Sequence, residues 1–382
     1  MAGLSQKVQT ARSNPGLVPR LIWNRIKTTA CHELSSLMNE WAALPETVNL
    51  YPTARCNLKC TMCFARRYQA RSELDYSQLC RIIDQIAAFK PRIHLSGGEP
   101  CLHPRVIDIV RHIKKSGLYV HITTNGTQLA KQAEDLVSSE VNQLDISIDG
   151  PAEVHDAIRG KPGTYQLIDE GLNALSRARS KSALPLVRIN SIINFQDPGA
   201  MDQLVCQAER WSVQNVQFIY PLYLKPEEVA GHQVLLASIL HRDLNYWKFA
   251  ADHDPAPSDL DRAWSAVERL RAMTSDSRLR IDIFPDFTRD AFSAYYDRSR
   301  DFYRSYAGSC RAMWTTATIL PTGEVESCPD YVIGDCRHET FKTIWNRQHM
   351  KALRRRIRDL NFFSVCRACC FFYPARSKPF AG

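Results

Sequence analysis

Three thiols stand within eight residues. Cys56-Asn57-Leu58-Lys59-Cys60-Thr61-Met62-Cys63 is a C-x3-C-x2-C loop. Three thiolates this close can share one metal centre and leave its fourth position empty. A structural zinc site normally closes with a fourth Cys or His. A [4Fe–4S] cluster held by three cysteines keeps one iron open for a ligand. Three unrelated core thiols are the bland alternative. A second group lies far along the chain: Cys310, Cys328 and Cys336, then Cys366-Arg367-Ala368-Cys369-Cys370. Between the groups, Ser96-Gly97-Gly98-Glu99-Pro100 carries two glycines, which let the backbone approach a ligand closely.

These residues need a frame, and the apolar periodicity supplies one. Short apolar runs at 48–51, 92–96, 118–123, 143–148, 186–193 and 216–220 predict six strands. Helical spacing separates them, as in Leu79, Ile82, Ile83, Ile86 and Phe89, or Val106, Ile109, Val110 and Ile113; each set falls on one helix face. Six β-α alternations with short connections predict an α/β fold with a parallel sheet, a partial (β/α)6 TIM-like barrel. Ligand chemistry in such folds gathers at the C-terminal strand ends, where the cysteine loop and the glycine pair fall.

Four segments are expected. Residues 1–46 form a helical N-terminal extension, 47–224 the partial barrel, 225–309 a helical linker or insert, and 310–382 a small cysteine-rich domain. In the extension, Leu21, Ile22, Trp23, Ile26, Leu34, Leu37, Met38 and Trp41 accompany Lys7, Arg12, Arg20, Arg25 and Lys27. Packing across the barrel is the expected role, with a membrane-surface helix as the alternative. Residues 226–252 and 258–275 read as helical, 280–284 as a possible strand. The aromatics Phe287, Phe292, Tyr295, Tyr296, Phe302, Tyr303 and Tyr306 read as core or lid.

Of 382 residues, 45% are hydrophobic and 23% charged, the composition of a globular protein. No run is long enough for a membrane span, no secretory signal is visible, and a cytoplasmic location is expected. The count of 13 cysteines is odd, which speaks against a simple disulfide framework. Cys80 and Cys206 fall in helical apolar patterns and read as buried small hydrophobes. The net charge is +9. The run Arg354, Arg355, Arg356 and Arg358, with Lys351 before it, reads as a solvated helix face. No nucleic-acid module is recognised, and none is expected as a partner.

The cysteine loop, its following Phe64 and the Gly97-Gly98-Glu99-Pro100 run 34 residues later resemble the radical S-adenosylmethionine (SAM) superfamily. The resemblance covers about residues 47–224. It implies a [4Fe–4S] cluster on Cys56, Cys60 and Cys63, with SAM at the open iron. It also implies that Gly97, Gly98, Glu99 and Pro100 contact SAM's amino group. Three later strand-end segments fit the same family. They are Thr123-Thr124-Asn125-Gly126, Ser147-Ile148-Asp149-Gly150 and His155-Asp156-Ala157-Ile158-Arg159. By the resemblance, Ser147 and Arg159 hold SAM's carboxylate, as an Arg fork can. Thr124 and Asn125 belong to the SAM site, and Asn190 meets the ribose or adenine. Cys101, next to Pro100, reads as local packing.

Cys310, with Gly323 after twelve residues and Cys328 after four more, resembles the start of a SPASM auxiliary-cluster domain. Trp314 and Pro321-Thr322-Gly323-Glu324-Val325 look like its β-hairpin. Only C-x2-C-C follows, so the pattern is closer to the shortened, single-cluster "twitch" form. That form implies a second [4Fe–4S] cluster on Cys310, Cys328, Cys366 and Cys369. Zinc also suits four cysteines, and Cys370 could replace Cys369. Cys336 and Cys370 are candidate hydrogen-atom donors.

The reaction implied by resemblance is reductive cleavage of SAM to a 5′-deoxyadenosyl radical, which abstracts a hydrogen atom from substrate. The auxiliary cluster is a possible electron acceptor, and a flavodoxin or ferredoxin the expected reductant. The expected substrate is a small molecule (sugar, aminocyclitol or nucleoside) that is oxidised, epimerised or rearranged. The alternative is a maturase acting on a ribosomal peptide or protein side chain. The 46-residue extension is shorter than the leader-binding domain of many such maturases.

Overall fold

The computed structural model describes residues 18–63, 72–179, 182, 184–240, 247–252, 257–273, 279–297, 301–305 and 310–372. Phe64, Tyr306, Lys7 and Arg12 lie outside these residues.

Among the described residues ten strands form one sheet. They are β1 (Thr47–Leu50), β2 (Arg92–Leu95), β3 (Tyr119–Thr124), β4 (Gln143–Ser147), β5 (Leu186–Ile192), β6 (Asn215–Ile219), β7 (Arg280–Phe284), β8 (Thr316–Ile319), β9 (Glu324–Cys328) and β10 (Tyr331–Asp335). Their order is β10-β9-β8-β1-β2-β3-β4-β5-β6-β7. The six expected strands are β1 to β6, in parallel sequence order. The possible strand at 280–284 adds a seventh, parallel to β6. After the intervening helices the chain returns to the other side of the sheet, where β8 pairs parallel with β1. The expected hairpin then follows as antiparallel β8, β9 and β10.

Side chains alternate along each strand. One face carries Val48, Ile93, Val120, Ile122, Leu144, Val187, Val216 and Ile281, buried with helix residues such as Leu79, Ile83, Ile109 and Leu136. The helices between the strands, such as Tyr76–Ala87 and Val106–Lys115, repeat their apolar residues at the spacing that keeps one stripe inward. Asp75 starts Tyr76–Ala87 with a capping box, its carboxylate accepting from Gln78 N, which satisfies an otherwise orphan donor. The opposite face is polar and half-buried along much of its length: Arg92 and His94, His121 and Thr123, Arg188 and Asn190, Gln217, Asp282 and Thr318.

Three expectations change. The N-terminal helix Val18–Leu34 docks through its polar side. Asn24 (5% exposed) and Thr28 (1%) are buried, and Asn24 Nδ2 donates to Lys90 O at 2.8 Å. Its apolar side faces outward, with Trp23 64% and Ile26 55% exposed. The arginine run is not a uniformly solvated face. Arg354 is fully buried and donates to Met313 O, Glu40 O, Asn346 Oδ1 and Trp345 O at 2.9–3.0 Å. It holds the strand-leading segment and the C-terminal helices together. Finally, Cys206 is exposed rather than buried, because it sits on the outward side of its helix.

The aromatics of the 287–303 segment pack as core. Phe287, Phe292, Tyr295, Tyr296 and Phe302 are all buried in mutual ring contacts such as Phe292–Tyr296 and Tyr295–Phe302.

Candidate active site

The cysteine loop leaves the end of β1 and is gripped by three later strand-end segments. The first is the glycine pair after β2. Gly98 N donates to Thr53 O (3.1 Å) and Glu99 N to Arg55 O (2.7 Å). A Cβ on Gly98 would stand 2.4 Å from Arg55 O, and one on Gly97 (φ +112°) 2.8 Å from Tyr51 Cβ. These glycines therefore let two loops of the chain itself lie against each other. Glu73 Oε1 adds a brace, accepting from Thr53 Oγ1 and Ala54 N.

The second grip follows β3. Glu99, 1% exposed, accepts from Thr124 Oγ1 (2.7 Å), Asn125 N (2.7 Å) and Cys101 N (3.0 Å). Burial raises its pKa against these bonds. Asn125 in turn donates from Nδ2 to Asn57 Oδ1 (2.9 Å) and lies 3.8 Å from Cys56 Sγ. Pro100 opens the short 3-10 turn Pro100–Leu102, capped by the Glu99 side chain.

The third grip is the C-terminal end of the helix Ala152–Arg159. Lys59 N donates to Arg159 O and Thr61 N to Ile158 O. Gly160 (φ +69°) ends the helix 2.7 Å from Lys59 O by its virtual Cβ, so only a glycine fits. Arg159 Nη1 reaches Cys60 Sγ at 3.8 Å, and its Nε pairs with the buried Asp149 carboxylate at 2.7 Å. Asp149 also accepts from Ile192 N. Part of the Arg159 fork is thus already committed to Asp149 and Cys60.

Ser147 is half-buried at the end of β4, opposite Asn190 in register. The Asn190 side-chain oxygen is buried without a hydrogen-bond partner among the described residues, the condition of a group awaiting a ligand.

The thiols fit an iron–sulfur centre. Burial raises the Cys56 and Cys60 pKa values, with neighbouring Cys63 adding to both, while Arg159 pulls Cys60 back down. Donors aimed at two of the sulfurs suit electron-rich, metal-bound thiolates. At the second site Cys310, Cys328, Cys366 and Cys369 line a single apolar cavity, with Trp247, Met313, Phe363 and Phe372 in its wall. Burial pushes Cys310 up to about 12 and raises Cys328 and Cys366. Such thiols ionise only when a cation compensates them. Phe363 N already donates to Cys366 Sγ at 3.2 Å. Among the described residues no three His, Cys, Asp or Glu side chains stand close enough to grip one metal ion. Cys370 is exposed and does not line the cavity. Cys336 is buried in the core, 7% exposed, and does not line it either.

Sequence reasoning gave no role to Asn57, Glu73 or Asp149. Asp149 sat inside a quoted strand-end motif, and an acid next to a buried Arg was its signal. The inner-face imidazoles were also missed. His94 and His121 stack at 4.1 Å, and strand alternation alone places both on the polar face. His94 Nδ1 bonds Asn49 Oδ1 and its Nε2 bonds Thr123 Oγ1. Asn49 donates to Thr318 Oγ1, so its oxygen is the acceptor and His94 carries its proton on Nδ1.

Two family profiles match. The Radical SAM superfamily profile covers residues 50–192, and the SPASM iron-sulfur cluster-binding domain covers 310–370. The AdoMet-dependent heme synthase of Methanosarcina barkeri is 39% identical over 131 residues, 33% of this chain and 38% of that protein. The GTP 3',8-cyclase of Limosilactobacillus fermentum is 32% identical over 221 residues, 54% of this chain and 64% of that protein. The chain thus matches less than two thirds of the length of either relative. Streptococcus suis SuiB bound to S-adenosylmethionine superposes with a TM-score of 0.61 at 17% identity, over 87% of this chain and 73% of its own. SuiB bound to precursor peptide SuiA gives 0.60 at 16% identity, over 94% and 77%. At that identity the likeness speaks to the fold alone. With both profiles matched in order and both thiol sets in place, the chain carries a radical SAM domain followed by a C-terminal SPASM iron–sulfur domain, and the cofactors of these domains are iron–sulfur clusters and S-adenosylmethionine.

Proposed function

We propose that the enzyme takes a hydrogen atom from an uncharged, hydrogen-bonding small molecule of the sugar, aminocyclitol or nucleoside class. The product is oxidised, epimerised or rearranged. One observation carries this reading: the inner face of the sheet is rich in neutral polar groups, and its arginines are already engaged. Arg188 pairs with Asp145 and Arg280 with Asp282, while Arg92 lies 4.7 Å over the Tyr119 ring. What that face offers is imidazole and amide in His121, Asn190 and Gln217, beside the uncharged network of His94, Asn49, Thr123 and Thr318. Burial lowers the pKa of His94 to about 4 and holds that of His121 well below its ordinary value, so both are uncharged at neutral pH. Such a lining suits hydroxyls and amides better than phosphates or carboxylates.

The clusters and SAM, when bound, would supply the radical chemistry that starts the reaction. The chain's own residues position and shield. In this proposal Gly97, Gly98, Glu99 and Pro100 shape the amino-acid end of the SAM site, with Thr124 and Asn125 behind them. Ser147 and the remaining fork of Arg159 take SAM's carboxylate, and Asn190 takes its ribose or adenine. Residues 47–224 form the SAM-cleaving unit, 310–382 the auxiliary unit and 225–309 the connection. A flavodoxin- or ferredoxin-type protein delivers the electron. As a hydrogen-atom donor, the exposed Cys370 is better supported than the buried Cys336.

A second reading, a peptide maturase, draws support from the peptide-bound SuiB fold neighbour. The two readings separate in one assay. Anaerobic reconstitution should load about eight irons per chain, and dithionite with SAM should release 5′-deoxyadenosine. Uncharged sugars, aminocyclitols and nucleosides are then compared with their phosphorylated forms and with peptides. Stimulation by an uncharged small molecule supports the proposal. Stimulation by peptides alone assigns the maturase, and no 5′-deoxyadenosine at all sinks both.

A further inference from the structure

Two sequence features absorbed by none of this chemistry meet on one surface: the N-terminal helix and the arginine run. The helix Val18–Leu34 turns Ile22, Trp23, Ile26 and Leu34 outward, at 50–64% exposure. Leu37 (84%) and Trp41 (40%) are also exposed in the segment that follows the helix. Within the helix, Ile22, Trp23, Ile26 and Leu34 recur at helical spacing, so they form one stripe, opposite the buried Asn24 and Thr28. A stripe this long is larger than scattered surface apolar residues explain.

Cations edge the stripe. Arg20 bonds only the Gly117 carbonyl, Lys27 only Asn24 Oδ1, and Arg355 only Asn39 Oδ1. None of the three has a carboxylate partner among the described residues. The acids beside them are already taken: Glu33 pairs with Arg311 and His32, and Glu40 with Arg358. The charge left over on this surface is positive.

We propose that this surface docks the enzyme on an anionic lipid membrane, with the helix lying in the interface plane. Apolar side chains with two tryptophans enter the headgroup boundary, and the cations meet lipid phosphates or carboxylates. No helix among the described residues is long and apolar enough to cross a membrane, so the association is peripheral. A second copy of the chain is a poorer occupant. A two-fold contact sets each patch against itself, bringing unpaired cations against cations.

The test is sedimentation of the reconstituted full-length protein with vesicles of phosphatidylcholine containing about 30% phosphatidylserine, beside pure phosphatidylcholine. Sedimentation velocity without lipid runs in parallel. The expected result is pelleting with the anionic vesicles only, weakening as salt rises. Ile26→Glu with Leu37→Glu should abolish it, and Arg355→Ala should weaken it about fivefold. All three residues are exposed and lie away from the cysteine loop, so 5′-deoxyadenosine release should be unchanged, which confirms that the variants are folded. No pelleting, or equal pelleting on both vesicles, overturns the proposal. So does self-association that the double substitution removes, which would give the stripe to a second copy.

Discussion

Gly98→Ala tests how the cysteine loop is held. The new Cβ would lie 2.4 Å from Arg55 O and 2.6 Å from the Ala54 carbonyl, and backbone atoms cannot swing aside as a side-chain tip can. One loop must retreat by about 1 Å to restore van der Waals contact. The bonds Gly98 N to Thr53 O and Glu99 N to Arg55 O join the loops at that point and would be lost or stretched. At about 1 kcal/mol net for each bond, and more where a donor stays buried, the cost is about 2–4 kcal/mol. It falls on the cysteine loop, since the helix-facing core is untouched. Iron per chain should drop from about eight toward about four, with the auxiliary cluster's signal retained and 5′-deoxyadenosine release abolished. Gly117→Ala is the control. Gly117 has φ +67° and nothing within 4 Å of its virtual Cβ, so it should cost about 1–2 kcal/mol of strain and no iron. Full iron loading and undiminished cleavage of SAM by Gly98→Ala would refute the argument that loop contact is what these glycines serve.

Three further outcomes follow from the geometry. Cys369→Ala should lose about four irons per chain while Cys370→Ala keeps about eight, since only Cys369 lines the auxiliary cavity; the reverse pattern would exchange their roles. Arg354→Met takes the guanidinium donors from Met313 O, Glu40 O and Trp345 O, while Asn346 Oδ1 keeps the Ala42 N–H. It should lower urea stability by about 3 kcal/mol, whereas Arg355→Met on the exposed side should shift it by less than about 0.5 kcal/mol. Burial lowers His94, His155 and His232 from 6.5 to about 4. Between those values the unfolded chain binds protons the folded chain refuses. Stability is therefore full above pH 6.5 and falls as pH drops toward 4, by on the order of 3 kcal/mol per histidine. Urea midpoints measured from pH 7 to pH 4.5 should decline steadily, and a flat profile would count against buried neutral imidazoles.

The sequence made the sheet readable where structure is local. Each of β1 to β6 is a short apolar run between helical repeats, and the observed bounds differ from the expected ones by a residue or so at either end. The Gly97–Pro100 run was legible because only glycines tolerate its backbone and contacts. The pairing of β8 with β1 was not legible, because no local pattern records which distant edge a strand joins. Arg354 and Arg355 look alike in sequence, yet one is sealed among carbonyls and the other faces solvent. A helix-facing direction chosen by Asn24 and Thr28 is just as silent, since polar residues normally mark the outer face. At the site, the thiols were visible by spacing. The Asp149–Arg159 pair and the Asn57–Asn125 contact depend on loops meeting in space.

The return of β8 beside β1 fixes more than an edge. Thr47 stands opposite Thr316, and Thr318 opposite Glu326, so Cys328 at the end of β9 is level with the start of β1. The cysteine loop departs from β1's other end. The spacing between the two thiol sets is therefore read off a hydrogen-bonded ruler, in whole-residue steps of about 3.3 Å. The nearly 250 residues between Cys63 and Cys310 do not enter that measure. Insertions or deletions in residues 225–279 would reshape that segment while leaving the gap between the two thiol sets unchanged.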